Sequence, residues 1–229
     1  MNSFPITLNR PRKMAAWIYW AAQMLAISVL VRSLSEIYAD KVSPGVFQFS
    51  YLALNFTVLT CIFAPFLTGS FRLFLKSPWN TLRSAFLGYL LYYLTQRIFG
   101  SLQLWLLPGF QNYNDASIAA LSQDTKVLTA IGTLILAPVA EELIHRGLIF
   151  GTLYEVKPWL GYTVSAAVFS GLHILGYLGR YTPYEFLFAF LQYACAGLCL
   201  CFAYDRSKNI WTPILMHIAI NQIAILSLR

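Results

Sequence analysis

Residues 127–153 read VLTAIGTLILAPVAEELIHRGLIFGTL, an apolar run of membrane-spanning length that is interrupted by charges. Its 13 Val, Leu, Ile and Phe residues favour insertion into a bilayer by roughly 4 to 8 kcal/mol in total. Glu141, Glu142 and Arg146 oppose insertion by about 7.5 to 10 kcal/mol. The segment is therefore unsuited to face lipid alone. We expect these charges to face a helix bundle or a wet cavity, to pair with one another, or to lie nearer an interface.

The composition of the whole chain also indicates a membrane protein. Of the 229 residues, 58% are hydrophobic and 11% are charged, and the mean hydropathy is +0.60. Soluble proteins are about a quarter charged. This composition excludes a soluble enzyme, a disordered chain and a nucleic-acid binder, so the net charge of +7 is interpreted as a signal of membrane topology.

Apolar runs of about 20 residues predict the membrane-spanning helices. The sequence contains seven of them, at roughly 14–31, 46–67, 84–107, 127–153, 159–178, 184–204 and 210–228. We therefore predict an all-α fold, a polytopic membrane helix bundle with about seven transmembrane helices, or eight if one further segment crosses.

The distribution of cations predicts the orientation. With seven spans, the N-terminus and the loops at 68–83, 154–158 and 205–209 lie on one side and hold nine Lys and Arg. The opposite side holds five, together with carboxylates such as Asp115. The positive-inside rule then predicts a cytoplasmic N-terminus, although gaining or losing one span would change this result.

The two adjacent carboxylates differ in their expected partners. Glu142 and Arg146 are four residues apart on one helix face and favour a structural ion pair. Glu141 projects about 100° away around the helix, so Arg146 is poorly placed to neutralise both. A buried carboxylate without its own cation is a usable proton acceptor. Glu141 is therefore a candidate general base.

All three histidines of the chain, His145, His173 and His217, lie in predicted spans. A lone buried histidine is more often a satisfied core residue, but three of them beside two carboxylates favour a site. At 1.5 Å per residue, Glu141 and His173 each lie about 21 Å into their helices. In a hydrocarbon core about 30 Å thick, these side chains can lie at similar depths in the membrane.

The seventh span carries a second pair of polar side chains. His217 and Asn221 are four residues apart, so both can direct donors at one point, as an oxyanion pocket requires. Pro138 lies inside the fourth span and is expected to free a backbone carbonyl just before Glu141. We weigh ordinary helix bending equally with a kink that admits water.

Three motifs carry a resemblance to a known family. In chain order they are residues 141–147 (EELIHRG), 169–173 (FSGLH) and 213–221 (PILMHIAIN). They resemble the motifs of the CPBP family, the CaaX-protease and bacteriocin-processing family of intramembrane proteases, also called the Abi group. The resemblance covers about residues 127–225. It divides one integral membrane domain into N-terminal transmembrane helices, 1–126, and a CPBP/Abi-like catalytic helix bundle, 127–229.

The resemblance implies a peptide-bond hydrolase whose helices enclose a water-filled cavity. Glu141 would activate the water, and His173 would help to hold and polarise it. His217 and Asn221 would stabilise the tetrahedral oxyanion. The implied activity is an intramembrane endopeptidase that acts on a membrane-associated or lipidated peptide or protein.

Other residues of the first motif are expected to have structural roles. The resemblance implies that Glu142 and Arg146 fix the helix and the site. The residue before Arg146 is commonly aromatic or apolar in the family, whereas here it is His145. Because His145 follows Glu141 by four residues, it is placed to hydrogen-bond the base or to join a metal set.

A metal remains an alternative to the glutamate mechanism. A zinc ion would be held by Glu141, His173 and His217. The H-E-x-x-H pair of zinc proteases is absent, and a water-activating glutamate needs no metal. We therefore favour a mechanism without a metal or other cofactor.

The expected surroundings and the rival hypotheses follow from the same resemblance. We expect an integral membrane protein of a prokaryotic plasma membrane, in contact with membrane lipid and a peptide or protein substrate, and no nucleic acid. The alternative is a non-proteolytic membrane regulator or a bacteriocin-immunity protein that binds a peptide or a sensor protein. A small transporter is a third hypothesis, but the inverted repeats typical of transporters are not evident in the sequence.

Overall fold

The computed structural model of the chain describes residues 4–227, in which it is almost entirely helical and has no strand. The last residue of the predicted segment 210–228, and the ends of the predicted regions 1–126 and 127–229, lie outside the described residues. The eight helices of the described part are α1 (Arg10–Ile37), α2 (Pro44–Lys76), α3 (Pro78–Leu106), α4 (Tyr113–Asp124), α5 (Lys126–Val156), α6 (Pro158–Tyr177), α7 (Pro183–Ser207) and α8 (Trp211–Ser227).

Seven of these helices correspond to the seven predicted segments. The additional helix, α4, has 12 residues and is about 18 Å long, which is too short to cross a core of about 30 Å. Five helices of the described chain, α1, α2, α5, α6 and α7, are long and apolar enough to cross a membrane. Helix α3 has 29 residues but is not in that set, and α8 is apolar with 17 residues. The predicted all-α polytopic membrane bundle is confirmed.

The bundle is organised around α7 and α5. Helix α7 packs mainly against α6 and α3, whereas α5 packs against α6 and α2. Helix α8 contacts α3, α5 and α7. Helices from both predicted regions, 1–126 and 127–229, therefore belong to one packed bundle. The polar residues of α5, α6 and α8 face its interior.

Glycines bring two pairs of helices into close contact. A Cβ atom on Gly197 would lie 3.0 Å from Cα of Ala166, so α7 and α6 meet with no room for a side chain. A Cβ atom on Gly147 would lie 3.0 Å from the ring of Phe63, where α5 meets α2. The first approach matters for the site, because it brings the Gly197 carbonyl within reach of α5.

A proline inside α2 is compensated by a residue of α1. Pro65 has no N–H to donate to the carbonyl four residues earlier, that of Cys61. Arg12 donates through Nη1 to the Cys61 oxygen at 2.9 Å and to the Ile62 oxygen at 2.6 Å. Arg12 therefore joins α1 to α2 in addition to adding positive charge near the N-terminus.

Candidate active site

The backbone of α5 is irregular where the two carboxylates lie. Two π-helical segments, Gly132–Leu136 and Leu143–Phe150, flank the α-helical turn that carries Glu141 and Glu142. Segments of π-helix are frequent at functional sites because the extra residue in a turn redirects the side chains that follow. The sequence predicted only a bend at Pro138, since apolar periodicity does not reveal one additional residue in a turn.

Pro138 leaves a carbonyl that a distant side chain satisfies. In the first π-helical segment, the N–H of Ala137 donates to the oxygen of Gly132, five residues earlier. Pro138 has no N–H to continue this pattern, so Thr133 lacks its backbone donor. Asn221 donates through Nδ2 to the Thr133 oxygen at 2.8 Å. One amide hydrogen of Asn221 therefore fixes α8 against α5, and the second is available to the site.

The predicted ion pair between Glu142 and Arg146 is present. Arg146 Nη1 donates to Glu142 Oε1 at 2.9 Å, and neither side chain is exposed. Arg146 Nη2 donates to the Gly197 oxygen at 2.9 Å, and the guanidinium lies over the ring of Phe169 at 4.7 Å from its centroid. These contacts compensate a cation that would otherwise be very unfavourable in a buried position.

Glu142 also contacts His217, which lies 75 residues away in the chain. His217 Nδ1 lies 2.7 Å from Glu142 Oε1, the same oxygen that accepts from Arg146. A carboxylate oxygen can only accept, so Nδ1 carries the hydrogen. This bond fixes the imidazole ring with Nε2 on the side of Glu141. The sequence did not predict the contact, because helix periodicity relates only residues of one helix.

Glu141 has different surroundings from Glu142. Its side chain is 32% exposed, and its Oε2 lies 3.9 Å from Nε2 of both His173 and His217. His173 Nδ1 lies 2.8 Å from the Phe169 carbonyl oxygen, which can only accept, so Nδ1 carries the hydrogen and Nε2 is free to accept. The three predicted side chains therefore meet, and no cation of Lys or Arg pairs with Glu141 among the described residues.

Two adjoining cavities reach this group. The first, of about 230 Å³, is lined by α3, α4, α7 and α8 residues and by Glu141, Phe169, His173, His217 and Asn221. The second, of about 280 Å³, lies toward α1 and α2 and also contacts Glu141 and His173. Glu141 thus lines both cavities inside an apolar bundle, and its Oε2 is buried with no hydrogen-bond partner among the described residues.

His145 takes a position apart from the base. Its side chain is buried, its ring packs edge-on against Phe169 with centroids 5.2 Å apart, and its carbonyl accepts from Ser165 Oγ at 2.8 Å. It lines the second cavity. Within residues 4–227 its Nδ1 has no hydrogen-bond partner and no hydrogen bond joins it to Glu141.

Polar side chains of α4 and of the residue before it also line the cavity of Glu141, which the sequence did not predict. Asp115, which had been treated as a loop charge, lies in the first turn of α4 and lines the first cavity. Asn112 caps this helix, since its Oδ1 accepts from the N–H groups of Asn114 at 3.1 Å and Asp115 at 3.2 Å. Asn112 and Asp115 form an N-cap pattern that a sequence search for helix starts can find.

The side chains named for zinc do not form a metal site in the described part of the chain, where no group of three or more His, Cys, Asp or Glu side chains is arranged to hold a metal ion. Glu141 Oε2 is 3.9 Å from each histidine Nε2, whereas ligands of one tetrahedral zinc with bonds of about 2.0–2.1 Å lie roughly 3.3 Å apart. We therefore derive no step through a metal.

Comparison with known proteins gives two matches to this chain. Residues 123–223 match the family model described as "Type II CAAX prenyl endopeptidase Rce1-like". The chain is 29% identical over 145 residues to a protein of Bacillus subtilis (strain 168) named "Putative membrane peptidase YdiL", an alignment that covers 62% of this chain and 54% of that protein. The chain thus spans about half the length of this curated relative, and no solved structure matches it. Residues 123–223, which contain the three motifs, are thus similar to a family of CAAX endopeptidases, and part of the chain is similar to a protein named as a membrane peptidase.

Proposed function

We propose that the chain is an intramembrane endopeptidase in which Glu141 activates a water molecule. One observation carries the proposal: a carboxylate without a cation lies 3.9 Å from two imidazole nitrogens, at two cavities inside an apolar bundle. A general base has to lie within hydrogen-bond reach, directly or through one water, of the proton that it removes. The matches to an endopeptidase family and to a protein named as a membrane peptidase support the same reaction class.

The first step is deprotonation of the water. A separation of 3.9 Å between Glu141 Oε2 and His173 Nε2 is too long for a direct hydrogen bond. It suits a water that donates one hydrogen to each atom at about 2.8 Å. Glu141 takes one proton as the water oxygen bonds to the peptide carbonyl carbon, and the carbonyl π electrons move to its oxygen.

The second step is stabilisation of the tetrahedral oxyanion. Glu142 accepts from His217 Nδ1 and holds the ring in place, and in the protonated imidazole Nε2–H donates to the oxyanion. Asn221 offers its second amide hydrogen, because the first is bonded to Thr133. When the carbonyl re-forms, the C–N bond breaks and Glu141 transfers its proton to the leaving nitrogen. The products are a carboxylic acid and an amine.

The proposal extends to the cofactor and to the substrate. The mechanism uses no metal, so prolonged dialysis against a chelator is expected to leave cleavage unchanged. The substrate is a membrane-associated or lipidated peptide, and prenylated peptides, which the family description names, are one class to test. We also propose a prokaryotic plasma membrane as the setting, with the cytoplasmic N-terminus that the cation distribution favours.

Reconstitution of the full chain tests this function. Purified protein in phosphatidylcholine vesicles is mixed with randomised apolar peptides of about 20 residues, with and without a prenyl group, and the products are identified by mass spectrometry. We expect Glu141→Gln to lose about a hundredfold to ten-thousandfold of the cleavage rate. Glu36→Gln is the control, because Glu36 is exposed on α1 and pairs only with Arg32.

Cleavage by Glu141→Gln at the wild-type rate would refute the proposal. If Glu141→Gln, His173→Ala and His217→Ala all keep a cellular phenotype of the protein, the non-proteolytic hypothesis of a regulator or immunity protein replaces it.

A further inference from the structure

The first cavity is lined by acidic side chains but by no Lys or Arg of the described residues. Its two carboxylates are those of Glu141 and Asp115. Its remaining polar groups are neutral amides and phenols, such as those of Gln96, Gln192 and Tyr193, together with the histidines. The cation of Arg146 does not contribute, because it is bonded to Glu142 and to a carbonyl.

Asp115 is held rigidly at this cavity. It lies in the first turn of α4, which the side chain of Asn112 caps. Asn112 Nδ2 donates to the hydroxyl of Tyr193 on α7 at 3.1 Å, and the N–H of Tyr113 donates to the hydroxyl of Tyr181 at 3.1 Å. The start of α4 is thus fixed to Tyr193 of α7 and to Tyr181, which places the backbone of Asp115 at the cavity.

Asp115 lines the same cavity as Glu141, His173 and His217. Burial raises its pKa, and the first influence that lowers the pKa again is the charge of His173. The ring of His173 stacks on Tyr193 with centroids 4.6 Å apart. Because Asp115 and Glu141 line one cavity of about 230 Å³, a peptide held at Glu141 can also contact Asp115.

We propose that Asp115 is a specificity-determining residue that binds a cationic side chain, Lys or Arg, next to the scissile bond of the peptide. This inference rests on the proposed endopeptidase function. Asp115 has neutral hydrogen-bond donors in Asn114 and Tyr193 but no Lys or Arg beside it at the cavity, and a substrate cation that meets a partly buried carboxylate is favourable.

Paired peptides test the proposal on the reconstituted full chain. Each apolar peptide carries either Lys or the neutral norleucine at one position near the cleaved bond, in phosphatidylcholine vesicles. We expect wild type to favour Lys by about tenfold or more in kcat/KM, the range of a hydrogen bond between charged groups. Asp115→Asn should abolish the preference by slowing only the Lys peptides, and Asp115→Glu should retain part of it.

Asp124→Asn is the matched control, because Asp124 is an exposed carboxylate at the other end of the same helix. It should keep the preference for Lys. Equal cleavage of Lys and norleucine peptides by wild type would overturn the proposal. So would an equal loss on both peptides in Asp115→Asn with a shifted pH–rate profile, since Asp115 would then act on His173 instead of on the substrate.

Binding gives a second result that does not depend on turnover. The Glu141→Gln protein is titrated with photocrosslinkable peptides that carry a single Lys at successive positions, and with their norleucine counterparts. Stronger crosslinking of Lys peptides, lost in Glu141→Gln/Asp115→Asn, supports the cationic site even if no cleavage is found and the proposed function fails. Equal crosslinking overturns it.

Discussion

Glu141 and Glu142 are adjacent in the sequence, yet their side chains have opposite surroundings. Glu142 is fully buried and bonded to Arg146 and His217, whereas Glu141 is about one-third exposed and has no bonded cation. We expect Glu142→Gln to lower the free energy of unfolding by about 3–5 kcal/mol, because it leaves the charge of Arg146 buried and unpaired. Glu141→Gln should change it by about 0.5 kcal/mol or less.

Denaturation in mixed detergent micelles measures both variants beside wild type. Both are expected to lose cleavage activity, so stability separates their roles where activity does not. A large loss of stability in Glu141→Gln would show that its charge is compensated by a partner, which contradicts its assignment as the free base.

The stability of the folded protein is expected to depend on pH through Asp115. Burial holds the pKa of its carboxyl above the usual value, which is about 3.9. The folded state therefore binds a proton more tightly than the unfolded state does, and ionisation costs stability. This cost is absent below about pH 3.9 and reaches its full size above the folded-state pKa.

Asp115→Asn should accordingly unfold at a higher temperature than wild type at pH 8, with the difference vanishing near pH 4. Thermal unfolding in detergent across this pH range is the measurement, with Asp124→Asn as control. A difference that grows toward low pH would have the wrong sign and would contradict the burial argument.

At the scale of elements, α5 and α8 are joined by a polar contact that replaces a backbone bond. Asn221 donates to the Thr133 carbonyl that Pro138 leaves without a donor. We expect Asn221→Ala to cost about 1–3 kcal/mol of stability, because that carbonyl becomes unsatisfied. In a Pro138→Ala background the restored N–H can bond Thr133, so the same substitution should cost less.

The double-mutant cycle also separates the two roles of Asn221. If its second amide hydrogen stabilises the oxyanion, Asn221→Ala should lower kcat in both backgrounds, although stability is rescued in one. Rescue of kcat together with stability would show that Asn221 acts only by holding α8 against α5.

The elements were predictable to different degrees. Apolar runs of the length of a membrane core located the seven long helices, since hydrophobic length is a direct consequence of the bilayer. Helix α4 was not predicted because it is too short to give an apolar run of membrane length. The N-cap at Asn112 is its main signal in the sequence. The π-helical segments of α5 were not predicted because hydrophobic composition does not distinguish a π-helical turn from an α-helical turn.

For the whole molecule, the motifs indicated which residues of α5, α6 and α8 meet, because the three histidines of the chain lie in these three helices and the two adjacent carboxylates lie in α5. The contact of Glu142 with His217 and the position of Asp115 were not accessible to the sequence. Both depend on how helices distant in the chain rotate against one another, and apolar patterning leaves that rotation undetermined.

The side of the membrane on which α4 lies depends on α3, which is not among the five helices apolar enough to span. Its 29 residues extend over about 44 Å, more than a hydrocarbon core of about 30 Å, and its polar Gln96 faces the cavity instead of lipid. We therefore expect α3 to cross the membrane. The loops at its two ends then lie on opposite sides.

Cysteine labelling in a cysteine-free background measures this crossing. Ser77→Cys, in the exposed loop before α3, should react with an impermeant maleimide only after the cells are permeabilised, because the positive-inside rule places this cation-rich end in the cytoplasm. Gly109→Cys, which has open space around its Cβ position, should react in intact cells. Equal labelling of both positions would mean that α3 does not cross. In that case the segment that carries Asp115 would lie on the cytoplasmic side, and the cationic part of a substrate would have to approach from there.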